Sequence, residues 1–168
     1  VSVPPLTPLA AAALEVGSPE RILQVQCGDG EAAFFLAREF PAARVRGVDA
    51  SRRRVREATA RIGLDPEGRV AFKVGGPRSL PYPDGLFDLV ALLDQPVPVG
   101  EVARVLRPGG FLLCAYTEAR LAPRKLRAAA LRRRLARHGF EPVDADTAGA
   151  GSFAVHRLVA ADPAHPAE

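Results

Sequence analysis

The sequence contains no Trp and no Met, and Phe and Tyr together make up only 6% of it. The core must therefore be assembled from Ala, Val and Leu rather than from a few large rings. Cysteine is limited to Cys27 and Cys114, too few for a disulfide framework, and both are expected to be reduced, buried and inert. His, Cys, Asp and Glu nowhere fall at metal-ligand spacing, so no metal centre is expected. No apolar run reaches the ~18 residues of a membrane helix, and no basic leader with a cleavage site opens the chain. A cytoplasmic protein without membrane contact is the expectation.

What is present is ordinary globular material: 168 residues, 48% hydrophobic and 25% charged. A chain of this length hides roughly 70% of its unfolded surface and needs no staple. The net charge of +4 permits attraction to acidic partners without demonstrating it. Abundant Ala, Arg, Gly and Pro read as compositional bias, so single arginines carry little information. The most basic stretch is "RKLRAAALRRRLARHG" over 124–139. Its Leu126, Ala130, Leu131 and Leu135 are expected to face a sheet while the arginines face solvent. No aromatic is interleaved for base stacking, so nucleic acid is possible but not indicated.

Apolar runs alternate with amphipathic segments along the chain. Strands are expected over 21–26, 44–48, 70–74, 87–93, 111–116, 140–145 and 153–160. Helices are expected over 31–40, from a Ser51 cap to 62, over 99–106 and over 123–138. An irregular arm and short helix (1–17) precede the domain proper (18–160), and a polar tail (161–168) is expected to be disordered. Strand-helix alternation with short links specifies a parallel α/β sheet, a Rossmann-like three-layer sandwich. The last two strands follow one another without a helix and should pair antiparallel at one edge.

One stretch concentrates the chemistry: "ILQVQCGDG", residues 22–30, a buried strand running into a glycine turn. Gly28 and Gly30 let the backbone turn sharply and approach a ligand, and the helix that follows points its free N–H groups to the same place. Asp49 ends the second strand, 19 residues after Gly30. A carboxylate there suits two ribose hydroxyls; the other reading is a cap on the helix beginning near Ser51.

Four stretches together, "ILQVQCGDG", "VRGVDAS", "LPYPDGLFDLV" and "VARVLRPGGFLLCAY", resemble the class I S-adenosylmethionine-dependent methyltransferases in order and spacing, over 21–159. The resemblance implies a seven-stranded sheet of order 3-2-1-4-5-7-6 with strand 7 antiparallel. It implies S-adenosyl-L-methionine as cofactor, lined by Gln24, Gln26, Cys27, Gly28, Gly30, Asp49, Ala50, Gly76, Pro77 and Leu93. The chain departs from the family at several of these. Gln24 stands where the family has an acid, and Gln26 where it has the first glycine. As side chains two apart on a strand, the two glutamines are expected to stack on one face. Gly76 stands where an acid often accepts from the adenine amino group, leaving backbone or Ser79 to do so, with Ala50 and Pro77 against the ring.

Asp94, in "DQP", is the catalytic candidate by position, although the second proline and aromatic of the amine-directed relatives' motif are missing. Tyr82 and His138 read as structural, packing in a proline-rich turn and at a helix end, while Tyr116 has a structural reading as good as a functional one. The methyl acceptor, small molecule or protein, is not legible, and a homo- or hetero-oligomer is possible. The expectation is a methyltransferase; the alternative is a non-catalytic methyltransferase-like scaffold or partner subunit that has lost tight cofactor binding. A nicotinamide-dependent reductase lacks support, because no third glycine completes the Gly-x-Gly-x-x-Gly pattern.

Overall fold

A computed structural model describes residues 6–159. The arm residues 1–5 and the tail expected over 161–168 lie outside the described residues. The chain begins with α1 (Thr7–Ala13), then β1 (Arg21–Val25), α2 (Glu31–Glu39), β2 (Arg44–Asp49), α3 (Arg52–Ala60), β3 (Val70–Val74) and β4 (Phe87–Leu93). It continues with α4 (Val99–Val105), β5 (Leu106–Tyr116), α5 (Lys125–Arg137), β6 (Phe140–Ala148) and β7 (Gly151–Leu158). The strands form one seven-stranded sheet of order 3-2-1-4-5-7-6. β1 to β5 pair in parallel, while β7 runs antiparallel to both β5 and β6. This is the topology expected from the sequence.

The sheet buries both faces because its central strands carry apolar residues at most positions on both sides. β4, "FDLVALL", is buried from Phe87 to Leu92, as a parallel strand covered on both sides requires. Leu89 and Ala91 enter the apolar cluster beneath α1 and α2, with Leu9, Ala12, Ala33 and Leu36. Val90 and Leu92 enter the opposite cluster beneath α4 and α5, with Val99, Val102, Val105 and Leu135. Polar side chains pin these layers. Buried Asp88 accepts from the Glu20 and Arg21 N–H groups at 2.8 and 2.9 Å and from Arg107 at 3.1 Å, joining β1, β4 and β5 at their entry ends. Ser51 caps α3 by accepting from the Arg54 N–H at 3.3 Å. The Arg69 guanidinium donates to the carbonyls of Ala37 and Phe40, groups at the C-terminus of α2 that have no helical partner.

The short helix expected within 1–17 is α1, which starts at Thr7 and buries Leu9 fully. Several expectations need correction. "RPGG" is not a turn before β5 but its first part: Leu106 pairs with Phe87, with a register shift before Leu89 meets Phe111. The hairpin loop is not 146–152 but the two residues between Ala148 and Gly151. On α2 the buried residues are Ala32, Ala33, Leu36 and Ala37, while Phe34 and Phe40 lie at the rim. On α5 only Leu135 is buried, and Leu126 is 84% exposed. Apolar spacing located that helix, but its first half stands off the sheet.

Candidate functional site

Strands β1 and β4 are neighbours although β2 and β3 separate them in sequence. Strand order reverses between them, and a ligand of an open α/β sheet lies outside the carboxyl ends at such a point. The turn after β1 occupies this position. Gly28 and Gly30 have φ of +55° and +90°, a conformation that glycine adopts without strain. Their roles differ. A Cβ on Gly28 would meet nothing within 4 Å, so the space above this peptide is open. A Cβ on Gly30 would lie 2.8 Å from Cζ of Phe72. Gly28 leaves room for a ligand, whereas Gly30 makes room for the Phe72 ring, which packs edge-on against Phe34 at 5.5 Å.

Gln26 also has positive φ, +57°. The strand ends at Val25, so the two-residue alternation expected to stack Gln24 and Gln26 stops one residue before Gln26. Gln24 is 2% exposed. Both carboxamide oxygens are buried and lack a hydrogen-bond partner among the described residues, an arrangement that costs about 1–3 kcal/mol for each group left unpaired. Directly after Gln26, Cys27 donates its N–H to the Val48 carbonyl at 3.0 Å. Burial, reinforced by the charge of Asp49, pushes its thiol pKa up to about 12, so it is not a nucleophile at neutral pH.

Asp49 is 2% exposed. Its Oδ2 accepts from the Gly28 N–H at 3.0 Å and its Oδ1 from the Ser51 N–H at 2.9 Å. The carboxylate therefore bridges the β1 turn to the start of α3. It performs the local helix-start role and reaches the glycine turn at once. An ionised carboxylate has about four acceptor positions, so acceptor capacity remains on each oxygen. Ala50 beside it is exposed. Gly75 donates its N–H to the Asp49 carbonyl at 3.0 Å, and Gly76 pairs with Ser79 in a tight turn around half-buried Pro77. Two further groups hold this segment to α4: Glu101 accepts from the Leu80 N–H at 2.7 Å, and Arg104 donates to the carbonyls of Leu80 and Tyr82. The sequence reading did not anticipate this latch; a Glu and an Arg three apart on a short helix carry no sign of their distant partners.

Half-buried Leu93 ends β4 and half-buried Asp94 follows it. Asp94 has φ of +56°. Its two oxygens accept from the Thr117 N–H at 2.8 Å and the Thr117 hydroxyl at 2.7 Å. Asp94 thus ties the end of β4 to the end of β5. It also lines a hollow of about 1060 Å³ between these strand ends and α5, shared with Val97, Tyr116, Ala122 and Leu131. Tyr82 is not at this hollow: it packs edge-on against Phe87 at 5.0 Å with Lys73 over its ring. His138 caps α5, its Nδ1 2.9 Å from the Arg134 carbonyl. Among the described residues no group of His, Cys, Asp and Glu is placed to hold a metal ion, and no helix is long and apolar enough to cross a membrane.

Known proteins match this architecture. Residues 22–110 fit the family model described as "Methyltransferase domain". Methyltransferase GfsG of Streptomyces halstedii is 36% identical over 110 residues, which are 61% of this chain and 39% of that protein. A fatty-acid O-methyltransferase of Mycolicibacterium smegmatis is 37% identical over 108 residues, 60% of this chain and 38% of that protein. The chain thus spans about two fifths of the length of these curated relatives. The crystal structure of a SAM-dependent methyltransferase from Aquifex aeolicus superposes with a TM-score of 0.75 at 16% identity, covering 93% of this chain and 92% of that one. At that identity the likeness is one of fold. The family match takes in the glycine turn, Asp49, the Gly75–Pro77 segment and Asp94, and the chain belongs to the class I methyltransferase family.

Proposed function

We propose that this chain binds S-adenosyl-L-methionine in the crevice between β1 and β4 and transfers its methyl group to an acceptor on the α5 side. The observation that carries this reading is the Asp49 carboxylate, which contacts the Gly28 turn and keeps acceptor capacity for a ribose. The residues fit the cofactor in two further respects. Gly28 has open space where a side chain would stand, so a ligand can lie against bare backbone. The buried Gln24 and Gln26 oxygens lack donors, and an α-ammonium group supplies donors. When bound, the cofactor contributes a sulfonium methyl, an electrophile for in-line displacement. The chain's own task is to hold donor and acceptor in contact. With glutamine in place of the family's acid, a charge-assisted hydrogen bond becomes a neutral one, weakening cofactor binding by about 1 kcal/mol. The acceptors named for the relatives differ, so they do not indicate the acceptor of this chain.

Thermal unfolding in the presence of S-adenosylhomocysteine, the demethylated product, tests the proposal. A ligand at 100 times its dissociation constant stabilises by about 2.7 kcal/mol, a shift readily measured. Asp49→Asn keeps one oxygen for the main chain but loses the charge, and it should weaken binding at least tenfold. A folded protein whose melting point does not move at millimolar ligand would instead support the methyltransferase-like scaffold.

A further inference from the structure

The hollow beside α5 has a lining whose chemistry narrows the acceptor. Its walls are apolar: Val97, Tyr116, Leu121, Ala122, Leu126 and Leu131. Its charged members are Arg120, Arg124, Lys125, Arg127 and Arg134 against the single carboxylate of Asp94. Asp94, whose two oxygens each accept one bond from Thr117, offsets one of those charges. Arg120 is paired with Glu118 outside it. The other four cations form no ion pair among the described residues, unlike Arg104, which grips both Glu101 and Asp84. Four cations without an ion-pair partner, against one carboxylate and over an apolar wall, favour an anion carrying an apolar body.

The hollow is also poor in groups that could remove a proton. Tyr116 is 7% exposed and burial raises its hydroxyl pKa, and Asp94, held by Thr117, is the one carboxylate of the lining. The lining has no histidine. An acceptor that arrives with its nucleophile already ionised at neutral pH needs no base from this lining. A carboxylate meets both conditions, since its usual pKa lies near 4.

Resting on the methyltransferase reading above, we infer that the acceptor is an apolar carboxylic acid, bound in the α5 hollow with its body against Val97, Tyr116 and Leu131, its carboxylate attracted by the α5 cations and methylated on oxygen. In the transfer a carboxylate oxygen attacks the methyl carbon of the sulfonium donor. An O–CH3 bond forms, the S–CH3 bond breaks, and its electron pair remains on sulfur. The products are a neutral methyl ester and a thioether, and no proton moves. Ester formation also removes the charge that held the acid, which favours release.

The test uses decanoate as probe, with 1-decanol and acetate as controls, titrated calorimetrically into the chain without donor. Decanoate should bind at least tenfold more tightly than either control. The double variant R127E/R134E, altered at two exposed positions, should bind decanoate at least tenfold more weakly with 1-decanol unchanged, and R127K/R134K should retain binding. Decanol binding as tight as decanoate, or decanoate binding indifferent to the charge reversal, overturns the inference. Mass spectrometry then follows methyl decanoate with donor present. Donor binding is measured separately without acid, so loss of the methyltransferase reading is distinguished from loss of this one. Acid and donor both bound with no ester formed overturns the acceptor assignment alone.

Discussion

Gln26 carries the largest local cost in the crevice. Its φ of +57° places a Cβ-bearing residue in the left-handed region, at a cost of roughly 1–2 kcal/mol, and its carboxamide oxygen is buried without a partner. Gln26→Gly should stabilise the protein by about 1 kcal/mol, after the greater chain entropy of glycine is set against the strain relieved, read as a higher urea midpoint. A lower midpoint would show that the glutamine is held by favourable contacts. The two glycines that follow separate in the same way. Gly28→Ala suffers backbone strain alone, of order 1 kcal/mol. Gly30→Ala adds a Cβ 2.8 Å from Phe72 and should cost about 1–3 kcal/mol more, read by comparing the two midpoints. In the sequence Gly28 and Gly30 look equivalent. Only the position of Phe72, brought in on a strand far along the chain, divides them. Asp49 was legible as a carboxylate at a strand end, and its bond to the Ser51 N–H agrees with the reading that places it at the start of α3.

The elements were largely legible because their apolar periods are clear. β4 reads as a buried strand from residue types alone, and Ser51 announces α3. The errors lie where a long-range partner decides. "RPGG" contains turn residues, yet Leu106 pairs with Phe87, an outcome settled by β4 and not by local propensity. Leu126 has the spacing of a core residue but stands 84% exposed, because the start of α5 leaves the sheet and opens the hollow. Asp88 shows how the central elements are joined. Asp88→Ala removes a buried acceptor from two main-chain N–H groups and Arg107 and should cost about 3 kcal/mol in the urea midpoint. An effect below 1 kcal/mol would mean that water replaces the carboxylate at the sheet entry.

For the whole molecule, topology followed from strand-helix alternation and from the four matching stretches, while the hollow beside α5 did not, because it is shaped by how far one helix stands from the sheet. His156 contributes to the pH dependence of stability: it is 8% exposed on β7 with no partner for its Nδ1 among the described residues. Burial, and then the charge of Arg132, lower its pKa from the ordinary 6.5. The unfolded chain therefore takes up this proton before the folded one. The contribution is complete above pH 6.5 and diminishes as pH falls below it toward the lowered folded value. His156→Leu should lose less stability than the parent between pH 7.5 and 5.5, read from urea midpoints; an equal loss would assign the pH dependence to other groups.

The crevice itself is tested most directly by amide chemical shifts of 15N-labelled protein titrated with S-adenosylhomocysteine. The N–H groups of Gly28 and Ser51, both donated to Asp49, and the side-chain amides of Gln24 and Gln26 should show the largest saturable shifts. Saturable shifts confined to other parts of the chain, or none at millimolar ligand, would contradict a nucleoside seated between the β1 turn and Asp49.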